Sequence, residues 1–399
     1  MTEGEDGYAF GFTTTTILSG VTMTSAGGAS ANLRETALRS AHEALGATLV
    51  DFAGWLMPLR YSGEKAEHTA VREKAGLFDL SHMGEVRVTG PQAADVLDHA
   101  MVGFLSKVAV GRARYTMITD EDGGVLDDLI VYRLADDDYL VVPNAANAGT
   151  VLAALQERVR GFDARVDDRS ADTALIALQG PAAVDILGPL TDADLSEIKY
   201  YAGYRHTVAG QPVLLARTGY TGEDGFELFI EPASAAPAVW DALLKAGEPH
   251  GLVPAGLSAR DTLRLEAGMP LYGQELTRDL TPFDAGLGRV VKFEKGDFVG
   301  RAALERAAER SADRSGGRRL IGLSARGRRP IRKDMPLLRD GEQVGTLTSG
   351  APSPTLGTPI AMAYVDADLD TATGEFAVDV RGRTEPVDVV ELPFYKRER

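Results

Sequence analysis

The chain has 399 residues, of which 44% are hydrophobic and 25% charged, with a formal net charge of −16. That acidic balance argues against general nucleic-acid or anionic-membrane binding, and the absence of cysteine excludes disulfides, thiol nucleophiles, zinc–thiolate sites and iron–sulfur clusters. No apolar run approaches the roughly 20 residues that span a bilayer, and Glu3, Glu5 and Asp6 replace the basic leader of a secretory signal. Two to three domains in the cytoplasm is therefore the expectation.

In chain order, residues 1–32 are rich in Gly, Ser and Thr and predict a disordered extension, with Met23 a second candidate start. Residues 33–45 carry a helical pattern ended by Gly46. A strand and turn follow at 49–58, then a short helix at 64–74, and a strand-like stretch at 77–88 interrupted by Gly84. Gly90-Pro91 opens a helix reaching about Met101. Residues 115–118 and 129–132 flank an Asp/Gly cluster and read as a hairpin. A third strand at 139–142 and a helix at 148–160 come next, then a strand at 173–178 that ends in Gly180-Pro181 and a further helix. The repeated Gly-Pro after a strand hints at an internal duplication, and mixed strands suggest α+β rather than a parallel doubly wound sheet.

Further on, strands at 213–216 and 225–230 surround the loop 217–225, and helices are expected at 237–248 and 258–267. The second of these is read as capped by Ser258 and ended by Gly268, with Arg260 and Arg264 on one face. A charged helix at 301–312 and a glycine linker near 315–317 lead to regularly spaced short strands, read as a small all-β domain from 318 to the end. The basic residues Arg314, Arg318, Arg319, Arg326, Arg328, Arg329, Arg332 and Lys333 occur without an intervening acid before Asp334. That run suits an anionic ligand tail or an acidic partner, and equally a solvated loop and strand edge.

Standard catalytic signatures are mostly missing: there is no phosphate-binding Gly-rich loop, no dinucleotide fingerprint and no zinc-protease helix. The six histidines show no ligand spacing, so no metal is implied, and His82 reads as a structural hydrogen-bonder. The informative pair is Asp127 and Asp128, just inside the second hairpin strand. Strand neighbours face opposite ways, so one carboxylate is expected in water and the other in the body of the domain, unless both simply finish the turn. Tyr115, Asp128, Asn144, Tyr220, Glu227 and Arg260 sit at element ends and together suit a flat heterocycle bearing N–H donors. The residues alone stop at a small-molecule enzyme.

Eight collinear blocks go further: LVDFAGW (49–55), FDLSHMGE (78–85), GGVLDDLIV (123–131), ALIALQGP (174–181), RTGYTGEDGFE (217–227), ARDTLRLEA (259–267), LYGQ (271–274) and TSGAPSPTL (348–356). Over residues 33–395 the chain resembles the T-protein (aminomethyltransferase) family of the glycine cleavage system. The resemblance implies a three-domain cloverleaf around a central folate channel with a C-terminal β-barrel or jelly-roll. On that reading, residues 33–300 form the folate-binding region, 301–317 a helix and linker, and 318–399 the β domain. It implies that the lipoyl arm of H-protein presents an S-aminomethyl group to tetrahydrofolate, yielding 5,10-methylenetetrahydrofolate, ammonia and dihydrolipoyl H-protein.

The family's key aspartate falls on Asp128, holding folate near N10. Tyr115, Asn144, Tyr220, Glu227 and Arg260 fall on folate or substrate contacts, and Met83 lines the same site. Glu227 suits the pterin's N–H edge, and an arginine suits a carboxylate. Residues 1–32 match nothing in the family. Two alternatives share the scaffold: a folate-dependent demethylase, and a non-catalytic folate-binding protein whose characteristic cysteine is missing from residues 269–275 here.

Overall fold

The computed structural model describes residues 33–398 and, before them, the strands Thr16–Leu18 and Val21–Met23. Those two strands pair antiparallel. The rest of the leader lies outside the described residues.

Two sheets and a barrel organise the remainder. The first sheet is antiparallel, in the order Arg165–Asp168, Val86–Thr89, Asp138–Val142, Val125–Ala135 and Ala113–Thr119. The second runs Gly203–Val208, Gln211–Ala216, Gly225–Ile230, Ala174–Gln179, Ala75–Asp79 and Leu252–Pro254, only the last pairing being parallel. The helices Ala93–Ala100 and Ala148–Arg158 cover the outer face of the first sheet, with Val96, Leu97, Val151 and Leu155 packed on Val86, Val88, Leu129 and Val131. Helix Ala236–Gly247 covers the outer face of the second through Trp240 and Leu243, and each such buried aliphatic stabilises by roughly 1.5–3 kcal/mol. The inner faces meet through Tyr132, Leu140 and Val142 against Leu175, Leu214 and Phe229. The α+β expectation holds, in helix, sheet, sheet, helix layers.

The two glycine–proline corners are the same device used twice. Gly90 has φ +121° and Gly180 φ +130°, and a Cβ would lie 2.8 Å from Asp163 O at the first and 2.5 Å from Lys74 O at the second. The carbonyl of each glycine then accepts from the alanine three residues on, Gly90 O from Ala93 N and Gly180 O from Ala183 N, as the chain turns into a helix.

Helix Leu257–Glu266 packs on the hairpin Thr48–Phe52 and Trp55–Arg60, joining Leu257 to Val50, Met57 and Leu59. Its start corrects the expected Ser258 cap, because Gly256 occupies the cap position. A Cβ there would lie 2.4 Å from Leu59 O, and the Gly256 amide donates to Glu67 Oε2 at 2.9 Å. Gly268 does end it, at φ +64°, with Met269 N returning to Arg264 O. The first helix is also shorter than expected, Arg39–Ala44, because the Thr36 hydroxyl accepts Leu38 N and donates to Asp79.

After helix Arg301–Asp313, six strands from Arg318–Ala325 to Thr384–Val390 close a barrel around Leu323, Leu337, Ala363 and Val378. Within the basic run, Arg314, Arg318 and Arg319 share one shallow pocket, and others are tied to neighbours. Arg326 pairs with Asp388, Arg329 with Glu385, and Lys333 reaches Gly273 O.

Candidate active site

The strand pairing sets Met117 opposite Asp128 and Ile118 opposite Asp127. The two carboxylates point to opposite faces: Asp127 is buried in the body of the domain, as expected for one of the pair, while Asp128 is only half-buried and faces an open cavity rather than the outer surface. Asp127 is fully buried beneath the loop leading to helix Ala148–Arg158. It accepts Asn144 N at 2.9 Å, Asn144 Nδ2 at 2.9 Å and Asn147 Nδ2 at 2.7 Å. Asp128 opens instead onto a cavity of about 400 Å³ between the two sheets. Tyr115 donates to its Oδ2 at 3.0 Å, and Asn144 Nδ2 to its Oδ1 at 3.1 Å. Hydrogen bonds to a charged group are worth about 1.5–3 kcal/mol each.

Burial pushes the Asp128 acid up to about 6, against the pull of Tyr115 and Asn144. Burial and the nearby Asp128 carboxyl push Asp127 upward too, opposed by its asparagine donors. Two carboxyls this close titrate as a pair and do not both ionise freely. The result is a carboxylate poised to exchange a proton near neutral pH.

The opposite wall comes from the second sheet. Glu227 accepts Thr218 Oγ1 at 2.5 Å and Tyr132 OH at 3.4 Å, and burial raises its pKa. Loop 217–225 carries Tyr220 and is fastened at several points. Arg217 forks onto Asp224 at 3.0 and 2.6 Å, and Gln179 holds both Thr218 O and the Thr221 hydroxyl. Gly219 fits only without a side chain, since a Cβ would lie 2.0 Å from Gln179 Oε1. Tyr220 OH donates to Pro270 O, and the Arg260 guanidinium lies 4.8 Å from the centre of its ring. Met83 completes this rim, so all seven residues expected from the sequence line one cavity.

Sequence reading missed several members. Tyr201 lines the cavity with φ +59°, a backbone state a bulky residue rarely adopts. It is fixed by Tyr201 N to Arg217 O and Ala113 N to Tyr201 O. No local pattern announces it, because long-range hydrogen bonds impose the conformation. Tyr272, Asp261 and Arg264 also line the wall. The position of Arg264 on the Arg260 face was the available signal. His82 also lines the cavity, is 4% exposed, and its Nδ1 has no hydrogen-bond partner among the described residues. Burial, with the Arg260 charge, lowers its pKa to about 4, so it is neutral.

An apolar, tyrosine-walled cavity with carboxylates at two walls and a guanidinium on its side is built for a flat heterocycle with N–H donors. Tetrahydrofolate fits this donor set, because Glu227 offers an acceptor edge and Asp128 a separate basic oxygen. Among the described residues no three His, Asp or Glu side chains converge as a metal site, and no helix is long and apolar enough to cross a membrane.

Comparisons with known proteins agree with the geometry. Residues 38–295 match the GCVT N-terminal domain and residues 318–396 the glycine cleavage T-protein C-terminal barrel domain. An aminomethyltransferase of Streptomyces coelicolor is 64% identical over 93% of this chain and 100% of its own length. One from Moorella thermoacetica is 48% identical over 92% and 100%. The crystal structure of glycine cleavage system aminomethyltransferase T from Bartonella henselae superposes with a TM-score of 0.83 at 36% identity, covering 91% of this chain and 98% of that one.

Proposed function

We propose a mechanism from one premise: the chain belongs to the glycine cleavage T-protein family, and it is an aminomethyltransferase. Its co-substrate is tetrahydrofolate, and its partner is H-protein, whose lipoyl arm brings the S-aminomethyl group. Two bonds to the transferred carbon break, C–S and C–N, and bonds to folate N5 and N10 replace them. The sulfur leaves on the arm as dihydrolipoyl thiol, and the nitrogen leaves as ammonia.

The chain's part is to orient and to manage one proton. Asp128, held by Tyr115 and Asn144, sits beside N10 and accepts its proton as that nitrogen closes on the carbon. Glu227 receives the N–H edge of the pterin, stiffened by Thr218 and Tyr132. Tyr220 and Tyr201 offer apolar ring surface on the cavity wall for the flat pterin, Met83 lines the rim, and Arg260 supplies planar donors beside Tyr220. Closure of these walls around the ligands keeps water from hydrolysing the one-carbon unit.

The observation that carries this reading is the Asp128 carboxylate, held by Tyr115 and Asn144, opening into a tyrosine-walled cavity that Glu227 also lines. The test is formation of methylenetetrahydrofolate from aminomethyl-lipoyl H-protein, with wild type beside Asp128→Asn. Turnover that requires H-protein and drops by a factor on the order of 10²–10⁴ in the variant is expected, the range of general-base loss. Equal turnover in the variant would remove Asp128 from the chemistry. Turnover from another methylated donor without H-protein would favour the demethylase reading.

A further inference from the structure

We infer that Asp127, the carboxylate beside the reactive one, is a positioning residue that fixes Asp128 through the side-chain amide of Asn144. The inference rests on the role given to Asp128 above and extends it to a residue that touches no ligand. Asp127 is fully buried and does not line the cavity.

The geometry is a clamp. Asn144 Nδ2 has two hydrogens and three acceptors in reach: Asp127 Oδ1 at 2.9 Å, Asp128 O at 2.9 Å and Asp128 Oδ1 at 3.1 Å. One oxygen of Asp128 is therefore held by an amide that is itself held from behind, while Tyr115 holds the other at 3.0 Å. An asparagine amide has a broad, two-fold torsion and easily turns end for end. Turned, it would aim its own oxygen at Asp128 and repel it. Asp127 opposes that turn, because the Asn144 and Asn147 donors around it leave its oxygens only acceptor roles.

The same carboxylate anchors the backbone of this loop. Asn144 N donates to its Oδ2, and Asn147 Nδ2 reaches its Oδ1 at 2.7 Å, just before helix Ala148–Arg158 begins. Three donors and no acceptor surround Asp127. An asparagine there would set an NH₂ against at least one N–H, so the isosteric change is not a neutral one. Small losses of alignment at a proton-transferring group are costly, with about 1 Å worth up to about 10² in rate.

The test uses the full-length enzyme with H-protein and tetrahydrofolate, and compares Asp127→Asn, Asn144→Ala and the double variant. Asp127→Asn is expected to lower kcat about 10- to 100-fold while KM for tetrahydrofolate stays within about threefold, the split of a group acting in the transition state alone. In the Asn144→Ala background the same substitution is expected to change kcat by less than about twofold, since its route is already gone. Full additivity of the two losses, or kcat within about twofold of wild type for Asp127→Asn, overturns the proposal. Should Asp127→Asn not fold, Asn147→Ala loosens the same anchor. It is expected to lower kcat about threefold or more, again only where Asn144 is present, and an unchanged kcat overturns the proposal. A wild type that makes no methylenetetrahydrofolate would instead refute the functional reading, so the two failures are distinct.

Discussion

Asp128 titrates where an enzyme can use it, and that has a measurable sign. Its pKa is raised to about 6 chiefly by burial, so the ionised, proton-accepting form is lost below that pH. The rate against pH should fall on its acid side with a midpoint near 6. Tyr115 donates to the charged form, and Tyr115→Phe removes that help. The midpoint should move upward by about one to two pH units, the equivalent of one charged hydrogen bond. A midpoint that stays put would show that Asp128 does not govern that limb. Asp128 itself was legible because it sits in a distinctive block beside a turn. Tyr201 and the solvation of Asp127 were not, because a positive φ and an asparagine pair arriving from residues 144–147 are decided by the tertiary structure.

At the scale of single elements, alternation and turn chemistry were strong guides. The hairpin Ala113–Thr119 with Val125–Ala135 and the strand Gly225–Ile230 follow from apolar runs between glycines and aspartates. Helix starts were weaker, as Gly256 shows, because the tight approach of Leu59 O selects a glycine that no capping rule favours over the serine that follows closely. The loop 217–225 yields a direct test of packing. Gly219→Ala must displace the Gln179 amide that fastens the loop. A stability loss of about 1–3 kcal/mol is expected, as for an overpacked site. KM for tetrahydrofolate should rise with it, because Tyr220 is carried by the same loop. Unchanged melting and KM would mean the loop tolerates a shifted Gln179.

Across the molecule, the barrel is bolted to the sheets by a buried polar junction. Glu266, at the end of helix Leu257–Glu266, takes hydrogen bonds from Ser353 and Thr355 of the barrel and from Arg72, with His68 Nε2 at 3.1 Å. These partners lower its pKa from 4.5 to about 2 despite the burial that raises it. The sign follows: with a depressed folded pKa, the stabilisation is complete above the unfolded value near 4.5 and is lost as pH falls toward about 2. Glu266→Gln leaves His68 and Arg72 without their common partner and should cost about 3–5 kcal/mol at pH 7. The difference from wild type should shrink below pH 4, read as melting temperature against pH. A constant difference would assign the loss to packing rather than charge. An all-β C-terminal domain was legible from strand spacing and its barrel form from the family resemblance, whereas this junction joins residues nearly three hundred positions apart in sequence, His68 and Thr355, which no local pattern reports.

Arg264 has a consequence for how the protein is made. It lines the cavity and is buried with Asp261 and Glu275 on its guanidinium, and its last bond, 2.7 Å long, goes to Ser349. The ribosome emits the chain from the N-terminus, so the residues of both sheets, Asp128 among them, are made before Ser349 is. Until the barrel strand Glu342–Pro352 emerges, one wall of the cavity holds a cation short of a partner and open to solvent. The wall that Arg264 forms therefore depends on a residue far downstream of both sheets, and the bond to Ser349 is the last of its contacts to become possible in chain order.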